Sequence, residues 1–166
     1  MRNLAVAVAA ALSGLAISSA EAREAVPFDP SYAPGTIVVR SAERKLYLVT
    51  DYGAAVRYPV AVGRLGKQWS GTAFVAGKYV NPAWSPPAEI KRDKPSLPSV
   101  IPGGSRSNPM GTRALVLDRG QYAIHGTNNP KSIGTFASYG CVRMLNADIQ
   151  DLYERVGVGT QVVVTR

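Results

Sequence analysis

The chain has one cysteine and one histidine in 166 residues. A single thiol excludes an internal disulfide, so the fold must be held by packing and hydrogen bonding. A zinc site takes three or four protein ligands, and here the remainder would have to be carboxylates that show no cluster spacing. No resident metal is expected, and no motif asks for an organic cofactor. Acidic residues are scarce, eleven against nineteen Lys and Arg, which leaves a net charge of +8. The long apolar run, Leu4 to Ile17, is fourteen residues and is interrupted by Ser13 and Gly14. That is short of the roughly 20 apolar residues a spanning helix needs.

The same run reads instead as the core of a secretion signal. Arg2 supplies its positive start, and Ala20-Glu21-Ala22 offers small residues for cleavage after Ala22 or Ala20. Residues 1–22 are therefore expected to direct export to the periplasm or cell envelope and to be removed, leaving a mature chain with no membrane span. With no cysteine near the cleavage site, a lipid-anchored form is not expected. Residues 1–22 hold one base, Arg2, and one acid, Glu21, so the mature chain keeps the charge of +8. An anionic envelope polymer fits that charge, and so does charge kept for solubility. Export, and the lack of a basic helix or interleaved aromatic platform, argue against a nucleic-acid partner.

Sixteen Gly and twelve Pro favour turns and short strands, hence a β-rich single domain. Residues 23–35, Pro/Ala-rich and without period, read as an extended lead-in, with order starting near Thr36. Thr36 to Arg40 and Lys45 to Thr50 form a predicted hairpin, followed by a strand from Ala55 to Val62 in which Pro59 suggests an edge or bulge. From Gly63 to Thr112 the pattern is irregular, with one strand candidate at Gly77 to Val80. Loops this long are commonly functional. The aromatics Trp69, Phe74, Tyr79 and Trp84 suit a cap over a binding groove, though each taken singly can equally pack the loop onto the core. Ala114 to Asp118 and Gln121 to Ile124 form a second hairpin, which ends at His125. Ala147 to Val156 is the predicted helix, capped by Asn146, with Ile149, Leu152, Tyr153 and Val156 on one face and Gly157 as terminator. A strand from Gln161 to Thr165 closes the chain.

His125 and Cys141 lie sixteen positions apart, each beside a glycine and at the edge of a regular element. An imidazole within hydrogen-bond reach can take a thiol proton and stabilise the thiolate. Gly140 permits a tight turn that aims backbone amides at a developing oxyanion. From the residues alone, a nucleophilic pair and two unrelated core residues both remain open.

Motif order adds to this. His125-Gly-Thr-Asn-Asn-Pro130, Ser132-Ile-Gly134, Ser138-Tyr-Gly-Cys-Val-Arg-Met144, then Asp148, Leu152-Tyr153, Gly159-Thr160 and Val162 to Val164 resemble the L,D-transpeptidase catalytic domain of the YkuD type. Asn81-Pro-Ala-Trp84-Ser-Pro-Pro87 and Asn108-Pro-Met-Gly111 extend the resemblance over roughly Thr36 to Thr165. It implies a mostly β, sandwich-like fold with one C-terminal helix and a long capping loop over residues 36–166. It also implies a Cys141 thiolate that attacks the third-residue carbonyl of a peptidoglycan tetrapeptide stem and releases D-alanine. The acyl group would pass to diaminopimelate on another stem or to a lysine of an envelope protein. A hydrolase using the same pair, and a non-catalytic wall-binding module, are the competing readings.

Under the resemblance His125 is the base, oriented by the Gly126 carbonyl, and the amides of Tyr139, Gly140 and Cys141 form the oxyanion hole. Arg143 suits a substrate carboxylate, with a structural ion pair as its alternative. Ser138, Thr127, Trp84 and Tyr79 are the further candidate substrate contacts, a structural role being open for Ser138. Asn129 and Lys131 read as surface loop residues. Tyr139 departs from the family, which usually has histidine there. Altered rate or substrate preference is expected from it.

Overall fold

In the computed structural model residues 23–166 are described, so the expected signal over 1–22 lies outside the described residues. Ten strands and two α-helices build the domain. In order they are β1 (Glu24–Pro27), β2 (Ile37–Arg40), β3 (Lys45–Asp51), β4 (Ala54–Gly63), β5 (Gly71–Val80), α1 (Ala88–Asp93), β6 (Arg113–Leu117), β7 (Ala123–His125), β8 (Phe136–Ser138), β9 (Val142–Met144), α2 (Asn146–Arg155) and β10 (Gln161–Thr165). The mostly β fold expected from composition is what forms.

The strands run β1-β4-β3-β2-β10-β5-β6-β7-β9, and β4 also pairs with β9, which turns the path into a closed circuit. Two ten-residue strands make the corners. The first part of β4 pairs with β3 as far as Pro59, and from Val60 it pairs with β9. β5 gives residues 71–74 to β10 and residues 75–80 to β6. Pro59 thus sits within β4 past Arg57, the last residue paired with β1, so that β3 alone flanks it, the edge-like position expected of it. Its missing N–H costs little where β4 leaves one partner for the next.

The enclosed core takes Ile37, Leu46, Tyr58 and Val60 from one layer and Leu115, Ile124 and Met144 from the other. From α2, Ile149 and Leu152 pack into it, as their spacing predicts. A smaller cluster of Phe28, Val38, Tyr47, Val49 and Ala55 covers the outer face of β2, β3 and β4. Strand order therefore begins at Glu24, not near Thr36: β1 pairs antiparallel with β4 and carries the chain to Phe28. A Pro/Ala-rich segment lacks alternation because β1 holds by backbone bonds and is mostly exposed.

Two further expectations need revision. β5 runs six residues further toward the N-terminus than the strand candidate, and a short helix, α1, with no buried residue, follows it. α2 begins at Asn146 itself, behind Leu145 and without a side-chain cap, because the Asn146 amide is engaged elsewhere. The outer cluster is testable. Phe28→Ala is expected to lower unfolding free energy by about 3 kcal/mol, as burial and a residual cavity demand. Equilibrium urea denaturation measures it, and a change within error of zero would mean that β1 and Phe28 are not part of the cooperative unit.

Candidate active site

β7 and β9 pair in parallel with Ile124 opposite Val142 and His125 opposite Arg143. Side chains alternate along a strand and neighbours in register share a face. Ile124, Val142 and Met144 accordingly turn into the core. His125 and Arg143, together with Cys141 two residues before Arg143, turn the other way and line one groove of about 720 Å³. The opposite wall comes from the irregular region: Gly66 to Gln68, Trp84 and Ser85, Pro87 to Ile90, and Pro109 and Met110. The long loop therefore does form a wall over the site, and α1 is part of it.

The turn before Cys141 is held from three sides. Gly140 has φ +122, and a Cβ there would lie 2.4 Å from Tyr122 Cε1, so conformation and space both require glycine. Behind it Trp69 stacks on Tyr122 with ring centroids 5.3 Å apart, and its Nε1–H donates to the Gly140 carbonyl at 3.0 Å. Ser138, buried, bridges the turn: its hydroxyl donates to the Cys141 carbonyl at 2.5 Å and accepts from the Gly140 N–H at 3.0 Å. That last bond revises the expected oxyanion hole. The Gly140 amide is occupied within the turn, which leaves those of Tyr139 and Cys141.

Cys141 is half-buried, and its thiol approaches the Gln121 carbonyl at 3.8 Å. His125 is buried, and its Nδ1 lies 2.7 Å from the Gly126 carbonyl, the orienting contact the resemblance implies. A carbonyl only accepts, so the proton sits on Nδ1 and Nε2 carries the lone pair. No hydrogen bond joins the thiol to the imidazole among the described residues. The two share a groove without the direct bond expected of them, a separation common before substrate tightens such a site.

The electrostatics keep both groups neutral. Burial, and then the Arg143 guanidinium, depress His125 to about 4, against the pull of carbonyls from Gly126, Pro109 and Met110. Burial raises the Cys141 thiol, opposed by the Ala123 amide and by Arg143. Arg143 itself makes no ion pair among the described residues. The structural ion pair considered for it is therefore absent, and its charge faces the groove unspent.

The remaining candidates divide. Trp84 lines the groove and is held by paired backbone bonds to Ile101. Tyr139 also lines it, but its hydroxyl donates to Asp93 at 2.5 Å, and Arg64, itself 3.0 Å from Asp93, stacks 3.9 Å over its ring. Thr127 is a correction: it is buried away from the groove, its N–H donating to Asn146 Oδ1 and its Oγ1 accepting from the Asn129 N–H. Tyr79 is another. Exposed on β5 beyond the bulge between Val75 and Gly77, which shifts the strand's alternation, it folds its ring over Gly77 and does not line the groove. Phe74 is likewise exposed on β5, and Trp69 backs the turn before Cys141 without lining the groove. The sequence marks Trp69 only as a loop aromatic and Asn146 only as a helix cap, and it does not single out Tyr122. Trp69 and Tyr122 signal only general packing.

Fold and site together define a β-rich catalytic domain with a thiol, an imidazole and a guanidinium on one groove face. A family profile described as YkuD, L,D-transpeptidase catalytic domain, matches residues 34–164, and the chain belongs to that family. It is 42% identical over 135 residues to the probable L,D-transpeptidase YbiS of Escherichia coli K12, covering 76% of this chain and 43% of that protein. The chain thus spans less than half the length of that relative. It is 33% identical to the putative L,D-transpeptidase YkuD of Bacillus subtilis, over 83% of this chain and 70% of that one. L,D-transpeptidase 3 of Mycobacterium tuberculosis shares the fold with a TM-score of 0.61 at 14% identity, over 79% of this chain and 60% of that one. A Brucella melitensis protein described as a probable carnitine operon oxidoreductase matches at 39% identity and TM-score 0.59, over 90% and 96%. Among the described residues no helix is long and apolar enough to cross a membrane.

The depressed imidazole makes stability depend on pH. His125 goes from an ordinary 6.5 to about 4 on folding, so between these values the unfolded chain binds a proton that the folded chain refuses. Its contribution is fully present above about pH 6.5 and is lost as pH falls to about 4, a change of about 3 kcal/mol. Between pH 7 and pH 4 the wild type should lose about that much more unfolding free energy than His125→Gln. Parallel pH curves for the two proteins in urea titrations would contradict a buried neutral imidazole.

Proposed function

We propose that this domain is a peptidoglycan L,D-transpeptidase that works through Cys141, and that residues 1–22 deliver it to the cell envelope. The observation that carries the reading is the placement of Cys141, His125 and Arg143 on one groove face by the pairing of β7 with β9. Arg143 receives a carboxylate of the peptide stem, since an unpaired planar cation is suited to that group. Trp84 and the wall around α1 hold the rest of the stem.

His125 Nε2 takes the thiol proton as the sulfur attacks the third-residue carbonyl of a tetrapeptide stem. The resulting oxyanion is met by the amides of Tyr139 and Cys141. As the carbon–nitrogen bond to the terminal D-alanine breaks, the imidazolium returns its proton to the leaving amine, and a thioester to Cys141 remains. An amine acceptor, a diaminopimelate side chain or an envelope-protein lysine, then attacks that thioester. His125 takes the acceptor's proton and gives it to the departing sulfur, which restores the thiol. The oxidoreductase description stays with the Brucella protein, and the family match over residues 34–164 supports the transpeptidase reading for this chain.

Incubated with tetrapeptide-containing wall fragments, the mature protein is expected to yield cross-linked dimers and free D-alanine, read by mass spectrometry, and Cys141→Ala none. Tripeptides alone would assign it to the hydrolases, and turnover by Cys141→Ala would remove the thiol from the mechanism. A carbapenem should add its mass to the wild type and not to Cys141→Ser.

Tyr139 should govern fit more than chemistry, because its hydroxyl is committed to Asp93 at the end of α1. Tyr139→His and Tyr139→Phe are expected to shift KM for donor or acceptor by up to about fivefold, the scale of an exposed polar contact. Single-turnover acylation of Cys141 should hold its rate. A loss of acylation as deep as that of His125→Gln would place Tyr139 in the chemistry instead.

A further inference from the structure

We propose that Asn146 is a positioning residue for the base: it fixes the His125 ring by tying together the two backbone segments that contact it. The inference rests on the reading of His125 as general base. One of these segments is Gly126-Thr127, whose Gly126 carbonyl accepts the hydrogen bond from Nδ1–H. The other runs from Pro109 to Thr112, and the Pro109 and Met110 carbonyls also act on the imidazole. Neither segment is regular secondary structure, so something else must hold them in place.

The Asn146 amide lies between them. Its Oδ1 accepts from the Thr112 N–H at 3.2 Å and from the Thr127 N–H at 3.1 Å, and its Nδ2 donates to the Thr127 carbonyl at 3.0 Å. Three backbone groups from two segments thus converge on one planar side chain. Space is allotted to it as well. A Cβ on Gly111 or on Gly126 would each lie 2.2 Å from Asn146 Oδ1, so both glycines are needed where the amide sits. Asn146 in turn opens α2, which Ile149 and Leu152 anchor in the core. The ring of the base is therefore referenced to the rigid helix and not to its own loop. Neither aspartate nor an apolar side chain makes the three bonds: aspartate would turn an acceptor toward the Thr127 carbonyl, and an apolar side chain would leave the Thr112 and Thr127 amides without this partner.

Because the chain has a single histidine, one imidazole resonance set reports its own tautomer and titration without any activity assay. In the wild type, heteronuclear NMR of labelled histidine should show one species protonated at Nδ1. Asn146→Ala should give mixed tautomers and an imidazole that titrates closer to the ordinary value. Its carbapenem acylation of Cys141 should be about ten- to a hundredfold slower, the usual consequence of a misplaced catalytic group. Gln150→Ala, which removes only a bond to the Thr112 hydroxyl, should leave both readouts unchanged. If Asn146→Ala does not fold, the spectra and rates of Asn146→Asp decide. Wild-type tautomer, titration and rate in a folded Asn146 variant would overturn the proposal, as would loss of the fold in both variants. His125→Gln is the separate control: full acylation there would overturn the role of His125 itself, whatever Asn146 does.

Discussion

Everything at this site depends on a short parallel pairing, β7 against β9, and on its register. Because His125 stands opposite Arg143, the strand pleat sends His125, Cys141 and Arg143 to the groove and Ile124, Val142 and Met144 to the core. A slip of one residue would exchange those sets, burying a guanidinium and exposing aliphatic side chains. The energetic demand of the core and the chemical demand of the groove are met by the same register, and each enforces the other.

That pairing is short, and its surroundings stabilise it. β4 and β5 change partners midway, which closes the strands on themselves and leaves β9 with a neighbour on both sides. The turn before Cys141 is braced by Trp69, Tyr122 and Ser138, while the His125 ring is braced through Gly126 from the direction of α2. Neither brace makes the thiol ionic or the imidazole charged. Burial holds both neutral, and on the proposed mechanism the thiol then loses its proton during attack and not from a standing ion pair.

Much of this was legible in the sequence where pattern and burial coincide. The two hairpins and β10 show alternation or continuous apolar runs, and the buried face of α2 follows from its spacing. The illegible parts have physical reasons. β1 and α1 bury little and so impose no period, and β8 and β9 are three residues each, too short to show one. Cys141 and His125 could be picked out as single residues of their type in a glycine-marked motif, with Arg143 beside them, whereas Thr127, chosen from the motif, and Tyr79, chosen as a loop aromatic, lie off the groove because neither signal says which way a side chain faces. Asn146 shows the converse: a residue that reads as a helix cap spends its amide on tertiary contacts.

The position of β10 has a consequence for how the molecule is made. The last strand lies in the interior of the circuit, between β2 and β5, with Val162 beside Ile37, 125 positions away in sequence. Contacts of such separation are closed late and slowly, since loop-closure entropy must be met before they stabilise anything. Until β10 is available, β2 and β5 each present an unpaired edge, and the enclosed core has a seam open to water. The circuit thus stays open until β10 is in place, and this dependence is set by strand order alone.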